Sequence, residues 1–128
     1  MKYLWLLSVF LFSSAGFAQD ADCKSKRQFS IEYSRCLDQQ LELLNRELVT
    51  WENNHILQLE DIASKTGRKD PLLVFKKSRQ TFKTFSTEHC RWQYLALVPD
   101  SQAGATLYKE CQLALYKNQI ELLSKIKY

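Results

Sequence analysis

The chain has 128 residues, with 18 Lys+Arg against 14 Asp+Glu and 45% hydrophobic residues. That length holds one ordinary domain, with enough apolar content for a buried core. The net charge of +4 is spread along the chain, and no DNA- or RNA-reading motif accompanies it, so nothing marks a nucleic-acid binder.

The chain opens with MKYLWLLSVFLFSSAGFAQD. Lys2 precedes an apolar run over residues 3–12, and Gly16 and Ala18 supply small residues at the −3 and −1 positions of a cleavage site. This reads as a secretory signal peptide, 1–18, cleaved after Ala18, with 19–128 as a single helical domain. The apolar run is well short of the roughly 20 residues of a membrane span, so no span is expected after signal removal. Cys23 follows Asp22 and not the cleavage point, which disfavours a lipoprotein. Cleavage removes one lysine and no acid, leaving a net charge of about +3. The expected location is periplasmic or secreted.

Beyond residue 18 the breakers are Gly67, Pro71, Pro99 and Gly104, in the clusters TGRKDP and PDSQAG. They divide the chain into three long segments. In the first, from about Ser30 to Ser64, Tyr33, Leu37, Leu41, Leu44, Leu48, Trp51, His55, Leu59 and Ile62 recur at the helical period. Gly67 supplies the stop, and the polar ENNH in the middle is expected to loosen a turn. Asp70 then offers a capping carboxylate and Pro71 a first helical residue. Phe75, Ser78, Phe82, Phe85, His89, Trp92 and Ala96 form the expected stripe of the second helix, which Pro99 ends. A third helix starts between Ser101 and Thr106, with Tyr108, Cys111, Leu115, Gln119, Leu122 and Ile126 as its stripe. Short turns force neighbours to run antiparallel. The fold class is all-α, an up-down-up bundle of three long helices.

Four cysteines, Cys23, Cys36, Cys90 and Cys111, fall at one end of such a bundle. An even count in an exported chain implies two disulfides, and the spacings of 13, 54 and 21 lack the close CxxC pairs of a zinc site. A continuous helix would separate Cys23 from Cys36 by about 20 Å, whereas a disulfide tolerates at most roughly 7 Å. The favoured pairing is therefore Cys36–Cys90 with Cys23–Cys111. Cys23–Cys36 with Cys90–Cys111 stays open, and requires the N-terminal segment to fold back.

His89 and Cys90 are adjacent, but neighbouring helical residues point about 100° apart and do not face each other. Cys90 is read as a crosslink and His89 as a hydrogen-bonded core residue. No Gly-rich phosphate loop, HExxH, GxSxG or metal-binding cluster occurs. The chain is read as a non-enzyme without cofactor or metal.

The segment SRQTFKTFSTEHC carries Phe82 and Phe85 eight and five residues before Cys90. AGATLYKECQLALYKNQIELL carries a glycine leading into a helix that holds Cys111 and closes on Leu122. Upstream stand Cys23, Cys36 and Leu44-Asn45. Together these blocks resemble the LprI-type lysozyme-inhibitor family of small exported bacterial proteins. Ser86 and Gln119 stand where the family commonly has arginine, and the interval from Cys36 to Asn45 is about one helical turn shorter.

The resemblance implies a non-catalytic binding protein acting on lysozyme or a related glycan hydrolase. Such enzymes work with carboxylates in a cleft, and the turn SKTGRKDP offers Lys65, Arg68 and Lys69 as candidate binding residues. Many lysozymes are basic, so a mildly basic inhibitor gains no long-range steering. Two other readings use the same export and the same staples. One is an immunity or accessory factor for a secreted toxin. The other is a structural or stress-related envelope protein that meets a partner helix through Trp51, Trp92 and Tyr94.

Overall fold

Residues 23–128 are described by the structure, a computed structural model; the expected signal peptide lies outside the described residues. A one-turn 3-10 helix, Cys23–Ser25, precedes three long helices, α1 (Ile31–Thr66), α2 (Asp70–Ala96) and α3 (Ser101–Lys125). They pack together without any strand among the described residues, as the all-α up-down-up reading expects.

Local chemistry sets each boundary. The Ser30 side chain accepts a hydrogen bond from the Tyr33 backbone N–H at 3.1 Å and so caps α1. Gly67, at φ 74°, closes it in the left-handed conformation, and its N–H donates to the Ala63 carbonyl. Asp70 does not cap α2. It is the first residue of the helix, Lys69 precedes it without a side-chain cap bond, and Pro71 occupies the opening turn. The carboxylate that does cap a helix is Asp100, which accepts from the Ala103 N–H at 3.0 Å and starts α3 at Ser101.

The stripe expected on α1 is buried or half-buried throughout, and α1 runs without a break through ENNH. Glu52 and His55 of that segment face inward, at 7% and 2% exposure. The other two stripes need correction. On α2 only Phe75 and Phe82 turn inward. Ser78, Phe85, His89, Trp92 and Ala96 are exposed, while Ser86 and Cys90 are fully buried. On α3 the deepest residues are Gly104, Thr106, Leu113, Ile120 and Leu123, whereas Leu122 and Ile126 are exposed.

The reason is packing distance. α3 lies along both α1 and α2, which meet each other over a much shorter stretch. Small side chains on α2 let α3 approach closely, so its larger aromatics point elsewhere. At the disulfide pole, a Cβ on Gly104 would sit 2.9 Å from both the ring and the carbonyl oxygen of Tyr94. The α1–α3 seam buries Leu37 against Leu113, and Leu48 against Ile120 and Leu123. Polar links run along it. Tyr33 donates to Glu110, and Lys109 Nζ reaches Ser34 Oγ and Asp38, each at 2.8 Å. His55 Nε2 lies 2.8 Å from the Leu123 carbonyl oxygen. A carbonyl can only accept, so Nε2 carries the proton, and the buried Nδ1 has no hydrogen-bond partner among the described residues.

The disulfides are Cys23–Cys36 and Cys90–Cys111, with Cα–Cα distances of 5.7 and 5.6 Å. The favoured pairing, Cys36–Cys90 with Cys23–Cys111, is thus overturned. It assumed that the chain entered α1 straight, with Cys23 outermost. Instead the segment folds back through the 3-10 turn and Phe29, whose φ of 63° reverses the chain, and Cys23 is buried at 5% exposure against Cys36, Leu37 and Leu113. The Gln102 side chain secures the reversal by donating to the Phe29 carbonyl. Cys90 faces α3 and not α1. Each bridge closes a short loop and contributes about 3 kcal/mol by restricting the unfolded chain.

Gly104→Val should cost about 1–3 kcal/mol by forcing α3 off Tyr94, read as a lowered urea midpoint with both disulfides intact.

Candidate functional site

α1 outlasts α3. Leu123, in the last turn of α3, is level with His55, whereas α1 continues to Thr66, about 16 Å further at 1.5 Å per residue. Beyond that level α1 and the start of α2 form a two-helix arm, and at its base Tyr128 lies beside Leu57 and Ile62. The arm is held by buried Leu59 and half-buried Ile62, Ala63 and Leu72.

The three cations singled out in the sequence stand together at the tip of this arm. Lys65 is spent on Asp61, one helical turn earlier, at 2.7 Å. Arg68 and Lys69 are exposed, and neither side chain has an ion-pair partner among the described residues. The Arg68 backbone N–H donates to Thr66 Oγ1 at 3.2 Å, which tightens the turn beneath the two charges.

A second arrangement was not anticipated. Where α1 and α2 part above α3, they enclose a cleft of about 430 Å³. Leu48 and Phe82 give it apolar walls, Tyr116 of α3 and Ser86 lie at its floor, and Lys76 and Lys83 stand along it. An ion pair crosses it. Arg79 Nε and Nη2 both donate to Glu52 Oε2, each at 2.8 Å, with the Glu52 side chain only 9% exposed and that of Arg79 31%. A looser pair, Lys76–Glu60 at 3.6 Å, joins the helices nearer the tip. Burial raises the Tyr116 hydroxyl above its usual range; neighbouring Tyr108 and the negative charge of Glu52 add to the effect, and a hydrogen bond with Ser86 opposes it.

Two sequence signals could have pointed to the cleft. Lys76 and Lys83 stand seven residues apart, which sets two cations on one face of α2 about 10 Å apart. Glu52 also interrupts an otherwise apolar face of α1. Its partner, however, is 27 residues away, and no local pattern names it.

Cys90 and His89 do not come together. The Cys90 sulfur is bonded to Cys111 and buried. His89 is on the surface, stacked on Phe85 with ring centroids 5.1 Å apart and edge-on to Trp92 at 6.5 Å, so it is not the core histidine expected. Of the three aromatics considered for a partner helix, Trp92 is 59% exposed, while Trp51 and Tyr94 are half-buried. Among the described residues no cluster of His, Cys, Asp and Glu is placed to hold a metal ion, and no helix is long and apolar enough to cross a membrane. The two disulfides fit an oxidising compartment outside the cytoplasm.

No family model, no curated protein and no solved structure matches the chain.

Arg79→Met would leave Glu52 buried without its partner and should lower stability by about 2–3 kcal/mol, less than for a fully buried pair because Arg79 is partly solvated. The double variant Glu52→Leu with Arg79→Met should recover most of that loss. Urea unfolding of the four proteins in the cycle measures both effects.

Proposed function

We propose that the chain is an exported, non-catalytic binding protein that inhibits lysozyme or a related cell-wall hydrolase in the periplasm or outside the cell. The observation that carries this reading is the basic tip of the α1–α2 arm, where Arg68 and Lys69 are exposed beyond the end of α3 and have no ion-pair partner among the described residues. Glycoside hydrolases work through two carboxylates in a concave site. A convex, two-helix arm ending in a tight turn is the complementary shape, and its two cations are the complementary charge. The cleft between α1 and α2 is itself concave, so it is not the part that enters an enzyme.

One further point supports the reading: the cysteine-bearing segments resemble the LprI-type inhibitor family. Ser86, where the family commonly has arginine, is fully buried against α3 in this chain. That departure bears on packing and leaves the arm untouched. Gln119 is half-buried on α3.

A second reading, an envelope protein docking a partner helix, is favoured by one feature: Phe85, His89 and Trp92 form an outward-facing aromatic row on α2. It differs from the first in its residues. An immunity factor for a secreted toxin would use the arm as the inhibitor does, against a different enzyme.

The test is a peptidoglycan-lysis assay with the purified protein against several lysozyme types. Stoichiometric protein should suppress lysis by at least one type. The pair Arg68→Glu with Lys69→Glu should weaken suppression by roughly tenfold or more, which is the size expected for lost charge pairs at an interface centre, while Trp92→Ala should not. Full lysis with every enzyme at excess protein rules inhibition out.

A further inference from the structure

The α1–α2 cleft has the attributes of a small-ligand site and is separate from the arm tip. Its volume of about 430 Å³ falls in the range of roughly 300–1,000 Å³ typical of ligand pockets. Its chemistry is divided. One flank is apolar, from Leu48 and Phe82, and Tyr116 lies at the floor above Ser86, which is fully buried and donates to the Lys83 carbonyl at 3.1 Å.

The charges are also apportioned. Both contacts from Arg79 fall on Glu52 Oε2, which leaves Oε1 as an acceptor toward the cleft and leaves Arg79 with donors to spare. Lys76 is partly satisfied by Glu60. Lys83 forms no ion pair with any described residue, so its ammonium is the uncompensated charge at the rim. A buried pair of the Glu52–Arg79 kind is a poor stabiliser compared with apolar packing. Its value here is to fix a donor set and an acceptor side by side in one cavity.

We propose that this cleft binds a small carboxylate-bearing ligand of about dipeptide size with an apolar flank, of the class of N-acylated acidic peptides. The ligand carboxylate meets Lys83 and the free N–H groups of Arg79. An amide N–H of the ligand donates to Glu52 Oε1. The apolar flank covers Leu48 and Phe82, over the Tyr116 ring at the floor. Nothing in this assignment depends on the arm or on hydrolase inhibition.

The experiment is a titration of the full folded domain followed by amide correlation spectra, with three probes: N-acetyl-leucyl-glutamate, its neutral glutamine-amide analogue, and inorganic phosphate. The acid should give saturable shifts centred on Glu52, Lys83 and Tyr116, with the neutral analogue at least tenfold weaker and phosphate not saturating in the same range. Lys83→Gln lies on the exposed rim and should leave the unfolding midpoint unchanged while weakening the acid at least fivefold. Arg68→Glu with Lys69→Glu should leave it unaffected, which separates this site from the arm. Absence of saturable shifts, equal binding of the neutral analogue, phosphate binding as tightly as the acid, or indifference to Lys83→Gln would each overturn the assignment.

Discussion

The packing of α3 against both of its neighbours is the constraint from which the rest of the architecture follows. α3 has 25 residues against 36 for α1, and it buries Leu113, Ile120 and Leu123 along the length it shares with them. Because it holds α1 and α2 each to itself, those two need not pack tightly on one another. Where they part, the cleft opens above Tyr116. Where α3 stops, they continue as a two-helix hairpin. The concave and the convex features of the molecule are thus two results of one short central helix.

The covalent links reinforce that division without replacing it. Cys23–Cys36 folds the N-terminal turn against α1, and Cys90–Cys111 ties α2 to α3. Neither joins α1 to α2. That connection rests on the turn at Gly67, on the Arg79–Glu52 and Lys76–Glu60 pairs, and on α3 between them. Charge accordingly lies where covalent restraint is absent, along the seam from Lys69 to Lys83.

The sequence was most legible where local chemistry decides the outcome. Three helices, the stop at Gly67 and the inward-facing stripe of α1 apart from Glu52 and Cys36 follow from period and breakers. It was least legible where tertiary approach decides. On α2 the larger apolar residues at helical spacing, Phe85 and Trp92, face out, because the interior at that level has room only for Ser86 and Cys90. On α3 two neighbours make nearly the whole circumference of the first half at least partly buried, and a one-sided stripe misplaces the core. The disulfide pairing failed for a similar reason: a single positive φ at Phe29 reverses the chain, and no periodicity announces it. The arm tip could be read as a basic turn, but its projection depends on the relative lengths of α1 and α3. The cleft depends on Glu52 meeting Arg79 across two helices.

Native-state hydrogen exchange tests the role of α3 most directly, because protection reports local opening free energy. The slowest amides should lie in α3 from about Leu113 to Leu123 and in the facing turns of α1 around Leu48 and His55. Exchange should be markedly faster in the arm, over residues 60–75. An arm as protected as α3, or an α3 that exchanges before the α1–α2 hairpin, would contradict that role.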